Sequence, residues 1–210
     1  MTNPTPDGLL RAVLSGILIL AVAMVAVGVV AVRRARIALP ITRIAEAPDA
    51  TLVRIHGNVR ADKPIRAPFS GRDCVYYKLE VTSSQFNRRE HFETSDRCDF
   101  IVKDASGVAR ITCSGAIYEG APSDGEATRA SLLSDRARNV MRELGWHVPE
   151  IAAVTVAETV VAVGDAVDVA GTPLREAQAE DPVERGFRDA PSTQLVFTGD
   201  VYVRGCGREN

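Results

Sequence analysis

The sequence predicts an α+β, mainly β fold: a small antiparallel barrel or sandwich with one amphipathic helix, preceded by a single N-terminal transmembrane helix. Three observations carry this. The run from Ala12 to Val32 is apolar and contains no charge. From Thr51 onward, short segments alternate apolar and polar residues and are separated by glycine, aspartate and proline, the pattern of half-buried strands and their turns. One stretch, Glu126 to Leu144, carries its apolar residues at helical spacing instead.

As a helix the first run is roughly 31 Å long, about the thickness of bilayer hydrocarbon. Two other readings compete with a membrane span. A buried soluble helix seldom continues this far without a charge. A cleaved signal peptide has a basic leader, a shorter apolar core and a small-residue cleavage site, whereas here the leader holds only Asp7 and Arg11 and the basic cluster Arg33, Arg34 and Arg36 follows the run. The segment 12–33 is therefore expected to be an uncleaved anchor. Basic residues stay on the cytoplasmic side, which predicts the large C-terminal part inside, with the arginines placed to meet anionic headgroups.

The remaining divisions are a short leader 1–11, a juxtamembrane connector 34–50, a β domain 51–205 with a loop over 173–193, and a tail 206–210. About 160 residues outside the anchor suffice for one well-packed domain and hardly two. A formal net charge of −2 gives the chain no electrostatic footprint for nucleic acid. Cys74, Cys98, Cys113 and Cys206 form no C-x-x-C pair. In a cytoplasmic setting they read as free thiols packed as small apolar groups; with the opposite orientation the first three become disulfide candidates.

Taken in order, TLVRIHGNV (51–59) alternates around Ile55 and Val59, with Gly57 a bulge or close-approach point and His56 on the polar face without a partner at ligand spacing. CVYYKLEV (74–81) sets Val75, Tyr77, Leu79 and Val81 against Tyr76, Lys78 and Glu80. The polar SSQFNRREHFETSDR that follows reads as a solvated loop or hairpin tip. Strands at 98–102 and 108–113 are joined by KDASG as an antiparallel hairpin, with Gly107 expected at positive φ. The helix over 126–144 places Leu133, Ala137, Val140, Met141 and Leu144 on one face, with Ser123 and Glu126 as a capping box and Gly145 as the C-terminal stop. Strands return at VTVAETVVAV and AVDVAG, turning at Gly164-Asp165; a polar loop covers 174–192, and QLVFTGDVYV closes the chain as one strand. A five-stranded oligonucleotide-binding barrel is one architecture that fits.

Three segments in this order resemble the GIDE-type, or beside-a-membrane, domain of the membrane ubiquitin-ligase family and its bacterial relatives. APFSGRDCVYYKLEV supplies Pro68, Gly71, Cys74 and Tyr77; DFIVKDASGVARI supplies Asp104 and Gly107; AETVVAVGDAVDVAG supplies Glu158, Gly164, Asp165 and Gly171. The resemblance spans 67–171. Most of these residues are expected to shape the fold. Glu158, acidic within an apolar run, is expected to meet a buried backbone donor or an arginine such as Arg54 or Arg110. The ligases of that family carry a second membrane helix and a RING, whose two zinc ions need about eight cysteine and histidine ligands. After Cys113 this sequence offers only Cys206 and His147.

The apolar run and its flanking charges thus imply a single-pass protein of an inner (plasma) membrane with a cytoplasmic domain and lipid contact through the anchor; the resemblance implies a bacterial, non-catalytic interaction module with a protein partner, and no cofactor or metal is expected. Three alternatives stand beside it. One is the ligase activity of the family. Another is an enzyme using Cys74 as nucleophile with His56 or His91 as base and Asp99 or Asp104 as orienting acid. The last is a membrane-tethered barrel binding a ligand or single-stranded nucleic acid on Tyr76 and Phe92.

Overall fold

In strand β1 (Val53–Arg60) the residues Val53, Ile55 and Val59 are buried and the intervening side chains are not, as the period-two pattern requires. The structure, a computed structural model, describes residues 35–36, 38–85, 88–120, 122–177 and 193–207. The predicted anchor 12–33 with Arg33 and Arg34, and most of the predicted loop 174–192, lie outside these residues. Among the described residues no helix is long and apolar enough to cross a membrane.

From Pro40 onward the chain builds two sheets. Further strands are β2 (Ile65–Arg66), β3 (Asp73–Gln85), β4 (Arg88–Arg97), β5 (Phe100–Lys103), β6 (Val108–Ile111), β7 (Ile117–Glu119) and β8 (Pro122–Arg129). After helix α1 (Asp135–Glu143) come β9 (Ala153–Ala162), β10 (Ala166–Gly171), β11 (Pro173–Ala177), β12 (Thr193–Phe197) and β13 (Tyr202–Gly207). The first sheet has eight strands in the order β11-β12-β6-β5-β1-β10-β13-β7, and the second runs β2-β3-β9-β8 with β4 paired to β3. Most pairs are antiparallel as expected, but β12 lies parallel to β6 and β13 parallel to β7.

The first sheet curls around one core, because Val53 and Ile55 of β1, Phe100 of β5, Phe197 of β12 and Val203 of β13 all belong to a single buried cluster. Strand β10 lies between β1 and β13 and is buried at all six residues. Residues of the expected connector join that core: Ile44 and Ala47, in and after a short 3-10 turn (Ile44–Glu46), are 2 % and 1 % exposed. The second sheet packs Leu79, Val81, Val154 and Val156 against Ala137, Val140 and Met141 of α1. Strand β9 passes from the second sheet into β10 of the first through the Val163–Asp165 turn, where Gly164 adopts φ +90°.

Several sequence expectations are corrected. The helix begins at Asp135, not at Glu126, because residues 122–129 pair with β9 and satisfy its edge, so tertiary pairing overrides local propensity. Ser134 is the cap, its Oγ accepting from the Ala137 N–H, and the Glu126 carboxylate accepts from the Ser134 N–H and Oγ instead of closing a box with Ser123. Gly145 does stop the helix: the Gly145 and Trp146 N–H groups donate to the carbonyls of Arg142 and Met141, a Schellman motif with φ +70° at the glycine. The polar segment after Gln85 is largely strand β4, which pairs with β3 from Arg97 to Arg88. Pro173–Ala177 is a strand rather than the start of a loop, and the closing segment is two strands interrupted at Gly199, φ +74°. A bulge between Cys74 and Tyr76 sends Val75 into the core of the first sheet, so β3 does not keep one alternation. Gly107 has no positive φ, and Ile44 Cγ2 lies 3.4 Å from where a β-carbon would stand, close to ordinary contact.

Two glycines separate steric from conformational demand. A β-carbon at Gly57 would stand 2.5 Å from the Lys103 carbonyl oxygen of the paired strand, so Gly57→Ala should destabilise by about 2–3 kcal/mol. At Gly145 nothing lies within 4 Å, and Gly145→Ala should cost only about 1 kcal/mol, from the positive φ. Urea denaturation of both variants measures the difference.

Candidate functional site

Strand β9 buries Val154, Val156 and Val160 on alternate positions, and Glu158 occupies the same inward face at 0 % exposure. A carboxylate there needs compensation, and the turn before β3 provides it. The backbone N–H groups of Phe69 and Ser70 donate to Oε1 and Oε2 respectively, each at 2.7 Å, short charge-assisted bonds. The turn is closed by the Gly71 N–H on the Ala67 carbonyl and the Ala67 N–H on that of Arg72, with Gly71 at φ +67° and Pro68, which has no N–H to donate, opening it. Of the expected partners for Glu158, these are backbone donors; Arg54 bonds Asp168 and Arg110 bonds Asp99.

Cys74 is 0 % exposed beside Ala67, Val160 and Ala162, with Tyr77 against them. Burial, and then the Glu158 charge, push its thiol up to about 12. Asp165, 5 % exposed, accepts from the Ala162 N–H at 2.9 Å and faces Arg72 at 3.3 Å. Its backbone exchanges with β1: the Val59 N–H donates to the Asp165 carbonyl, and the Gly164 N–H to that of Val59. A β-carbon at Gly171 would stand 3.1 Å from Phe197 Cδ1. In the second segment, Asp104 Oδ1 accepts from the Ser106 N–H, the Ser106 hydroxyl and the Gly107 N–H, while Oδ2 accepts from the Ile44 N–H. Burial raises the Asp104 pKa, and these bonds outweigh it and hold the carboxyl below its usual value.

The residues weighed for catalysis are not assembled. Cys74 is enclosed within its cluster, His56 is bonded to Asp168 in the first sheet, and Asp104 is engaged by its own turn. The aromatic platforms are also occupied, Tyr76 stacked on Tyr118 at 4.3 Å and Phe92 on Trp146 at 5.5 Å. Beside α1 lies a cavity of about 370 Å³ lined by Leu133, Met141, Arg142 and Trp146.

A second constellation was not legible in the sequence. His56, Asp168 and Cys206 come from the adjacent strands β1, β10 and β13, on the face turned away from the core that Ile55, Val169 and Val203 enter. His56 pairs directly with Asp168 in the ladder, and its Nδ1 lies 2.8 Å from Oδ1; the Arg54 guanidinium donates to Oδ2 at 2.8 Å. A register shift in β13, where Ala166 faces Gly207 and Val167 faces Gly205, leaves Cys206 as the extra residue of a bulge. The donor atoms of the three side chains all lie within 4.8 Å of one another. Burial raises the Asp168 pKa, but the bonds from His56 and Arg54 bring the carboxyl below its usual value; burial and then the Asp168 charge raise that of Cys206. Glu80, His91 and Glu93 also converge, on exposed parts of β3 and β4, with the Lys78 ammonium 3.1 and 3.2 Å from the two carboxylates.

Comparison with family models, with curated proteins and with solved structures gives no match to this chain.

Glu158→Gln replaces one acceptor oxygen with a donor facing a backbone N–H, and should cost about 2–3 kcal/mol in chemical denaturation. Asp104 and Asp168 bind their protons less readily folded than unfolded, where the reference is 3.8. Their contribution is therefore complete above about pH 5 and is lost as pH falls through and below that reference. Denaturation midpoints should be level between about pH 5 and 7 and fall toward pH 3, less steeply in Asp104→Asn.

Proposed function

We propose that this protein is a single-pass, membrane-anchored docking module of the GIDE type, non-catalytic and without ligase activity, whose β domain faces the cytoplasm of a bacterium and holds a protein partner beside the membrane. The observation that carries the reading is the physical joining of the resembling segments: Glu158 of the third clamps the Pro68–Gly71 turn of the first, and Arg72 of the first faces Asp165 of the third. These residues build a fold. The buried Cys74 thiol, raised to about 12, supports a packing role over a nucleophilic one. We read the curled first sheet as a small-barrel relative of the oligonucleotide-binding architecture, used here as a scaffold.

Carbonate extraction of membranes from cells expressing the full chain should leave it in the pellet, and protease should digest the domain only after spheroplasts are opened. Crosslinking in those membranes should trap the same partner with wild type and with a folded Cys74→Ala variant. A chain released by carbonate, a domain cleaved in intact spheroplasts, or crosslinks only to bulk membrane proteins would each overturn the reading.

A further inference from the structure

We propose that His56, Asp168 and Cys206 form a binding site for a thiophilic divalent cation of the zinc class, stapling β13 to β10 and β1. The claim is independent of the anchor and of the docking role. It starts from placement: an imidazole, a carboxylate and a thiol from three neighbouring strands put one donor atom each within 4.8 Å of the others. Strands hold side chains more rigidly than loops do, and the bulge at Cys206 is the kind of local irregularity that re-aims a side chain.

The donor set selects the cation. Nitrogen, oxygen and sulfur together suit Zn2+, which commonly takes three protein ligands and a water, and suit Mg2+ and Ca2+ poorly because those ions prefer oxygen throughout. Arg54 holds Oδ2 of Asp168 at 2.8 Å, which orients the carboxylate so that Oδ1 is the oxygen turned toward His56. A hydrogen bond that holds the far oxygen of a ligating carboxylate in this way fixes the ligand's geometry in metal sites. Binding is proton-balanced: the Cys206 thiol releases its proton to water as the sulfur–metal bond forms, and the imidazole presents Nδ1 as the tautomer with its hydrogen on Nε2. The Glu80–His91–Glu93 cluster lacks sulfur, and the Lys78 ammonium already pairs with both of its carboxylates, at 3.1 and 3.2 Å.

The test uses the purified full-length chain, stripped with a chelator and titrated with Co2+ as a spectroscopic probe. One equivalent should produce a thiolate-to-cobalt charge-transfer band that Zn2+ erases and excess Mg2+ does not. The band should be absent in Cys206→Ser, unchanged in Cys113→Ser, and require at least about ten-fold more Co2+ in His56→Gln. No such band in wild type at saturating Co2+, a band that survives Cys206→Ser, or a folded His56→Gln that binds as wild type would overturn the site. The wild-type spectrum and the exposed Cys206 position decide the matter even where His56→Gln fails to fold.

Discussion

The Glu158 carboxylate is the constraint on which the rest of the domain depends. A charge at 0 % exposure is stable only when its lone pairs are taken up, and here two backbone N–H groups of one turn take up both oxygens. That requirement fixes the Pro68–Gly71 turn over the inner face of β9. It thereby sets where β3 begins, and β3 is the strand to which β2, β4 and β9 all pair. From there β9 crosses to β10 through the turn that Asp165 braces, so one buried acid couples the start of the second sheet to the centre of the first.

How much of this was legible follows from the range of the forces involved. Local patterning identifies β1 and β9 because Ile55 and Val59, and Val154, Val156 and Val160, alternate with less buried residues, and it identifies the β5–β6 hairpin through its KDASG connection. It fails at 122–129, where the polar PSDGEATR becomes a strand only because β9 offers an unpaired edge, and at β4, whose residues are mostly exposed and carry no hydrophobic period. The interruption at Gly199 was masked by the apolar residues on both sides of it. The bulge between Cys74 and Tyr76 could not be anticipated from composition, since it changes the face of Val75 without changing its neighbours.

The candidate sites divide along the same line. Glu158 stood out in the sequence as an acid at an apolar position, and the alternative of a backbone donor is the one the fold uses. The first and third segments gain meaning only when the chain brings them together. His56 gave no signal, because Asp168 is 112 residues away and reaches it only through the antiparallel ladder of β1 and β10. A histidine with a strand-paired aspartate is invisible to spacing rules, which see neighbours along the chain and not across a sheet.

The position of β13 has a consequence for synthesis. This strand lies inside the first sheet, between β10 and β7, although it spans residues 202–207 and β7 spans 117–119. While a ribosome is still producing residues near 200, β10 has one unsatisfied edge and β7 has no neighbour in that sheet. This part of the sheet stays incomplete, with Val167 and Val169 already made, until β13 emerges to fill the gap. A sheet whose interior strand is made this late exposes sticky strand edges to chaperones in the interval.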